Sequence, residues 1–157
     1  MRFELLADNP GAIGTVARWY FDEWGSETPG ATFEQVVADV SRYISRLGPP
    51  LIVVAKEGDI LVAAAELKFR EMSIYPQFEH WLGGVYVSKA YRGRGIGTAI
   101  ATEVLRRARD AGVTSLYLQT VDLSGGIYRS IGFTPVEQVD YKGRRVLVMV
   151  AAEPASE

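Results

Sequence analysis

An α/β (α+β) fold, a mixed and mostly antiparallel sheet flanked by helices, is what the sequence predicts, and three observations predict it. Apolar residues recur at helical spacing over 13–47 and again over 96–108. Two apolar runs between Leu51 and Phe69 are joined by the turn Lys56-Glu57-Gly58-Asp59, which reads as a hairpin. A third strand-like run, Trp81 to Val87, passes through a glycine-rich turn directly into the second helical stretch. The order that follows is β-α-α-β-β-β-α-β-α-β-β.

Phe3 to Leu6 is a short strand. Asn9-Pro10 then offers an N-cap with Pro at the first helical position, and Ile13, Val16, Ala17 and Tyr20 share one face of a helix running to Trp24, where Gly25 stops it. Thr32 with Gln35 is a capping-box pattern ahead of Phe33, Val36, Val37, Val40, Ile44 and Leu47, so a second helix is predicted up to Gly48-Pro49-Pro50. Leu51–Ala55 and Ile60–Phe69 are the hairpin strands, and residues 73–78 form a loop. Gly83-Gly84 inside the next strand marks a bulge or a close approach by another backbone. Ile96, Ile100, Val104 and Ala108 define the third helix, with Gly112 in the C-terminal cap position. Val113–Thr120 is a strand, 124–130 a short helix, and Thr134–Asp140 and Arg145–Ala151 are strands joined by the turn at Lys142-Gly143.

A chain of 157 residues suffices for one domain, predicted over 1–152 with a disordered tail at 153–157. At that size roughly 70% of the unfolded surface is buried on folding. The formal charge of −2 gives no basic field for nucleic acid, despite the arginines at 92 and 94. With no Cys and a single His, disulfides, a thiol nucleophile and a Cys- or His-rich metal site are excluded, so no metal is expected. No apolar run approaches the roughly 20 residues of a membrane span, and no secretory h-region follows Met1. A cytoplasmic protein with no membrane partner is the expectation.

The segment that carries chemistry is Val85-Tyr86-Val87 followed by Arg92-Gly93-Arg94-Gly95-Ile96-Gly97-Thr98. Free amides at a helix start, the helix dipole and glycines that admit an anion to the main chain make such a junction a phosphate site. The plainer reading is a tight turn with close helix packing. The spacing G-x-G-x-G fits neither the dinucleotide fingerprint nor the Walker pattern.

Arg92-x-x-Gly95-x-Gly97 after Val85-Tyr86-Val87 resembles the acetyl-CoA motif of the GNAT superfamily, written Q/R-x-x-G-x-G/A. The likeness extends to Trp19–Gly25, to Gly112–Leu118 and to Tyr128-x-x-x-Gly132-Phe133. The resemblance implies an N-acetyltransferase using acetyl-CoA as cosubstrate and a small-molecule or peptide amine as acceptor; the alternative is a non-catalytic acyl-CoA sensor or scaffold. It implies a pyrophosphate held by residues 92–97 with Thr98, and a pantetheine arm pairing with Val85–Val87 like an added strand. It also implies that Tyr128 protonates the CoA sulfur, and it allows a homodimer to which the apolar strand Val146–Val150 contributes.

The base is where the sequence departs from its relatives. Those carry Glu or His four or six residues before the position of Val87, where this chain has Gly83 and Trp81. Glu79 and His80 are the next candidates for the base, Glu66 on the preceding strand can also face the acceptor, and Trp81 is read as a wall of the acceptor pocket. The connection after Thr120 lacks the Asn of many relatives; Ser124 either contacts the cofactor or caps the short helix, and capping is preferred. Acceptor specificity is expected in 24–33, 70–81 and 140–145.

Overall fold

The computed structural model describes residues 1–153. Its seven strands form one sheet in the order β1-β2-β3-β4-β5-β7-β6. They are β1 (Arg2–Leu5), β2 (Leu51–Glu57), β3 (Ile60–Phe69), β4 (His80–Val87), β5 (Ser115–Thr120), β6 (Thr134–Tyr141) and β7 (Arg144–Ala152). Every neighbouring pair is antiparallel except β4 with β5. The helices are α1 (Ile13–Trp24), α2 (Phe33–Val40), α3 (Ile96–Asp110) and α4 (Ile127–Ser130).

Both sheet faces are covered. In β2, Leu51, Val53 and Ala55 join α3 in one core, whereas Ile52 and Val54 pack with α1 and α2 in the other. That two-sided burial is why Leu51–Ala55 reads as an unbroken apolar run rather than an alternating one. A third cluster of Met72, Tyr75, Trp81, Val146 and Val148 lies under the 70–79 segment.

Several local signals act as expected. Thr32 Oγ1 accepts from the Gln35 amide at 3.2 Å and Gln35 Oε1 accepts from the Thr32 amide at 3.0 Å, closing the capping box. Gly112, with φ +84°, ends α3.

Others are corrected. The first helix is preceded by a 3-10 turn at Pro10–Ala12, and Asn9 caps nothing with its side chain; it bonds Leu5 O and Lys56 Nζ instead. Gly25 keeps right-handed helical angles and leads into another 3-10 turn. The second helix stops at Val40 rather than Leu47. Ser41 Oγ donates back to Val37 O at 2.7 Å, tight turns follow, and Ile44 leaves the helix to bridge Leu51. Ile44 and Leu47, placed in the core by periodicity, are 56% and 70% exposed. β7 lies between β5 and β6 and is buried over 146–149. Of the tail predicted at 153–157, Glu153 is tied by its amide to Thr114 O; the remainder lies outside the described residues.

The Gly83-Gly84 irregularity is real, and side chains rather than a backbone make the close approach. The β3–β4 register shifts between Ala64 and Glu66, and Gly84 takes φ +55° with its carbonyl accepting from Tyr20 Oη at 2.7 Å. A Cβ at Gly84 would meet Glu66 Oε1 at 2.6 Å and Tyr20 Oη at 2.8 Å. Gly84→Ala should therefore cost about 2–4 kcal/mol, from left-handed strain plus overpacking. Denaturant unfolding checks it, with Gly14→Ala as a control where nothing lies within 4 Å.

Candidate active site

β4 and β5 are in parallel register at Trp81↔Tyr117, near the start of β4. The later part of β4 lines clefts on its way to the glycine turn. Ser88 donates its amide to Val62 O on β3 at 2.8 Å, so by strand alternation the N–H and C=O of Val87 face away from β3. The Val87 carbonyl accepts from Arg92 Nε at 2.9 Å.

A 3-10 turn over Lys89–Tyr91 carries the chain to Gly93 (φ +79°) and Gly95 (φ +77°), the latter being the N-cap of α3. Only glycine enters that conformation without strain. No side chain caps the helix, and its first internal bond runs from Ala99 N to Gly95 O. The amides of Ile96, Gly97 and Thr98 thus open α3 without intrahelical partners, together with the positive end of the dipole. They face a cleft of about 470 Å³.

Val85, Tyr86, Val87, Arg92, Gly93, Gly95, Ile96, Gly97 and Thr98 all line that cleft. Arg94 does not: it is exposed, with its guanidinium 5.0 Å from the centre of the Tyr91 ring. Arg92 is less mobile than a rim charge, since it is bonded to Val87 and lies 5.3 Å from the Tyr86 ring. Glu23, Tyr91 and Ile127 also line the cleft and carry no motif that would have marked them. Free amides, glycines and one pinned arginine suit a pyrophosphate.

A second, larger cleft of about 1310 Å³ lies on the other side of Val85, and the two share Val85 and Tyr128. It reaches out between the α1–α2 connection, with Glu27, Thr28 and Ala31, and the β6–β7 turn at Tyr141–Arg144. Those are two of the three segments expected to set specificity. From the third, 70–81, the cleft takes Glu71.

Tyr128 stands at the junction on α4, its ring edge-on to Phe133 at 6.1 Å. Burial, and then the nearby Glu71 charge, raise its phenol above the ordinary value, so it stays protonated at neutral pH. α4 is shorter than predicted, and its N-cap is Gly126. Ser124 does not cap it; its hydroxyl donates to Asp122 and accepts from the Gly126 amide.

Glu66 lines the larger cleft and is 9% exposed. Burial pushes its carboxyl above the ordinary range, Lys68 opposes that, and Glu71 adds to it. Lys68, Glu71 and Tyr43 join it there. The sequence reading missed all three because they lie on a strand, a loop and a segment read as helix, with no shared motif.

The other candidates are elsewhere. Glu79 pairs with Arg70 at 2.9 Å with its side chain 45% exposed, and His80 packs against Phe69; neither lines either cleft. Trp81 is no pocket wall. It is fully buried, donates its indole N–H to Phe78 O at 2.7 Å, and packs in the third core cluster.

The Acetyltransferase (GNAT) family profile matches residues 13–133. N-alpha-acetyltransferase RimI of Mycobacterium tuberculosis is 38% identical over 83 residues, which are 52% of this chain and 51% of that protein. The match therefore spans about half the length of that curated relative. An aminoglycoside 6'-acetyltransferase type Ii superposes with a TM-score of 0.75 at 19% identity, over 99% of this chain and 100% of that one. An aminoglycoside 6'-N-acetyltransferase complexed with coenzyme A gives 0.74 at 16% identity, over the whole of both chains. At such identities the structures share the fold alone. Among the described residues no helix is long and apolar enough to cross a membrane. On the family match over residues 13–133, which takes in the glycine turn and the whole lining of the smaller cleft, the chain belongs to the GNAT acetyltransferase family.

Proposed function

We propose that the protein transfers an acetyl group from acetyl-CoA to a primary amine, of a small molecule or of a peptide N-terminus. The observation that carries this reading is the meeting of the two clefts at Val85 and Tyr128. An anion-binding helix start and a carboxylate-lined chamber open onto one phenol. Family membership and the likeness to an N-alpha-acetyltransferase support it.

When bound, acetyl-CoA supplies an acyl group activated as a thioester. The chain does the rest. The amides of Ile96, Gly97 and Thr98 would hold the pyrophosphate. Val87, whose amide faces away from β3, would orient the pantetheine arm. Tyr128 would offer its phenolic hydrogen to the sulfur, and the larger cleft, with Glu66 and Glu71 in its wall, would receive the amine.

The acceptor follows from proton energetics. Deprotonating a lysine-type amine of pKa ~10.4 at pH 7 costs about 4.6 kcal/mol, against about 1.1 kcal/mol for an α-amine of pKa ~7.8. A carboxylate base cannot offset the difference, so α-amines should react faster than lysine side chains. The rate should climb as pH rises through the acceptor's own pKa. Steady-state assays on two matched peptides, one with only a free N-terminal alanine and one with only a free lysine, test this. Faster turnover of the lysine peptide at neutral pH overturns the preference.

A further inference from the structure

The notch that Gly83 and Gly84 leave in β4 is filled from the neighbouring strand. A Cβ at Gly83 would stand 2.9 Å from Glu71 Oε1, 3.0 Å from Lys68 Cδ and 3.4 Å from Glu66 Oε1. The two glycines thus let three charged side chains from β3 and the segment after it reach the acceptor cleft, on the edge of β4 that leads to Val85 and Tyr128.

Four acids line that cleft, and three are held close by a cation. Asp39 pairs with Arg42 at 2.7 Å, Glu27 with Arg144 at 2.9 Å and Glu71 with Lys68 at 3.5 Å. Glu66 is the most buried of them and shares Lys68 with Glu71, its Oε1 standing 3.9 Å from Nζ. The groups that face it from the packed elements are Tyr20 on α1, Asp39 on α2, Tyr43 after α2, and Lys68 and Glu71. Glu79 and His80 line neither cleft.

We propose that Glu66 is the proton acceptor for the attacking amine, with Lys68 and Glu71 as positioning residues; this rests on the acetyl-transfer reading above. The neutral amine attacks the thioester carbonyl. As the C–N bond forms and the C–S bond breaks, the surplus proton on nitrogen passes to the Glu66 carboxylate. The departing sulfur takes the Tyr128 phenolic proton, and water in the cleft returns the proton from Glu66 to Tyr128. One amine and one thioester give one amide and one thiol, with no net proton change.

The raised Glu66 carboxyl sets the sign of the pH dependence. A base with a raised pKa is lost at a higher pH than an ordinary carboxylate, so activity falls on the acid side sooner than an unperturbed carboxylate would make it. Burial alone would lower the Lys68 ammonium, but Glu66 and Glu71 outweigh it and raise it, so the cluster keeps its cation.

The test is Glu66→Gln, nearly isosteric and free of a buried charge, with the alanine-starting peptide as acceptor. Turnover should fall by about a hundredfold, within the range of a lost general base. The acid side of the pH profile should then follow the acceptor amine's own ionisation alone, without the further limb that Glu66 adds, with acetyl-CoA affinity by calorimetry and peptide KM within about threefold. Glu71→Gln should keep the limb but move it to lower pH, since a like charge beside Glu66 has gone. A purely structural Glu71 would leave the limb where it is. Infrared difference spectra of the protein without substrates, native minus Glu66→Gln, should show one carboxyl titrating above the ordinary range, whether or not the variant turns over. Glu66→Gln turnover within threefold of native with the limb retained overturns the assignment and leaves the acetyl-transfer reading standing. A native protein that acetylates no amine overturns both.

Discussion

Gly97→Val is expected to abolish acetyl-CoA binding while leaving the protein folded. Gly97 has ordinary helical angles in the first turn of α3, and a Cβ there would meet Ile127 Cδ1 at 3.5 Å and Val87 Cγ2 at 3.7 Å, which is normal contact. The fold can therefore accept a side chain, whereas the cleft cannot. A branched group between Val87 and Ile127 would hold a phosphate away from the amides of Ile96 to Thr98. Losing one or two charge-assisted hydrogen bonds costs about 2–5 kcal/mol, so affinity should drop by about thirtyfold or more. Calorimetry reads the affinity, and a thermal melt checks the fold. Gly95→Val is a poorer probe, because φ +77° strains any side chain there and stability would fall as well. Unchanged affinity in folded Gly97→Val would move the cofactor site elsewhere.

The second large effect is expected at Tyr128. Tyr128→Phe keeps the ring edge-on to Phe133 and removes only the hydroxyl. Turnover should fall about tenfold to a thousandfold, the range of a lost general acid, with acetyl-CoA affinity little changed. A phenol raised by burial and by Glu71 is a weaker acid than a free one. It is therefore a hydrogen-bond donor to sulfur first and a proton source late in bond breaking. Turnover within twofold of native in stopped-flow or steady-state assays would remove Tyr128 from the chemistry.

The lining of the smaller cleft, proposed to take the cofactor, was legible in the sequence because it is built locally. A helix start needs its amides free and its glycines in place, and both conditions are written in consecutive residues from Arg92 to Thr98. The same holds for the Thr32–Gln35 capping box and for the β3 boundaries at Ile60 and Phe69, all of which depend on near neighbours. Arg94 was the exception in the turn, because which way an exposed side chain leans depends on Tyr91.

The acceptor half depends on what the sheet brings together across distance. Glu66 and Glu71 are far from Tyr128 in the chain, and they line one cleft because β3, β4 and α4 converge. Trp81 looked like a pocket wall because it is aromatic and close to the bulge, yet strand alternation turns it into the cluster beneath the 70–79 segment. Glu79 and His80 looked like bases because they stand at the entry of β4, and they lie instead at the outer end of the strand beside Arg70 and Phe69. Helical periodicity over-ran at Ile44 and Leu47 because pairing with Leu51 and the Ser41 back-bond competed with the helix. The Gly83-Gly84 pair was recognised as a signal, but only coordinates show that its empty space belongs to Glu66, Lys68 and Glu71.

The most direct test of the central claim mixes the purified protein with acetyl-CoA and the alanine-starting peptide. Thiol release and peptide acetylation are then followed in the same tube, by a thiol reagent and by mass spectrometry. The two-cleft arrangement predicts one acetylated N-terminus for every thiol released, with both signals lost together in Gly97→Val and reduced together in Tyr128→Phe. Thiol release without acetylated peptide, or acetyl-CoA binding with no transfer to any member of an amine panel, would contradict it.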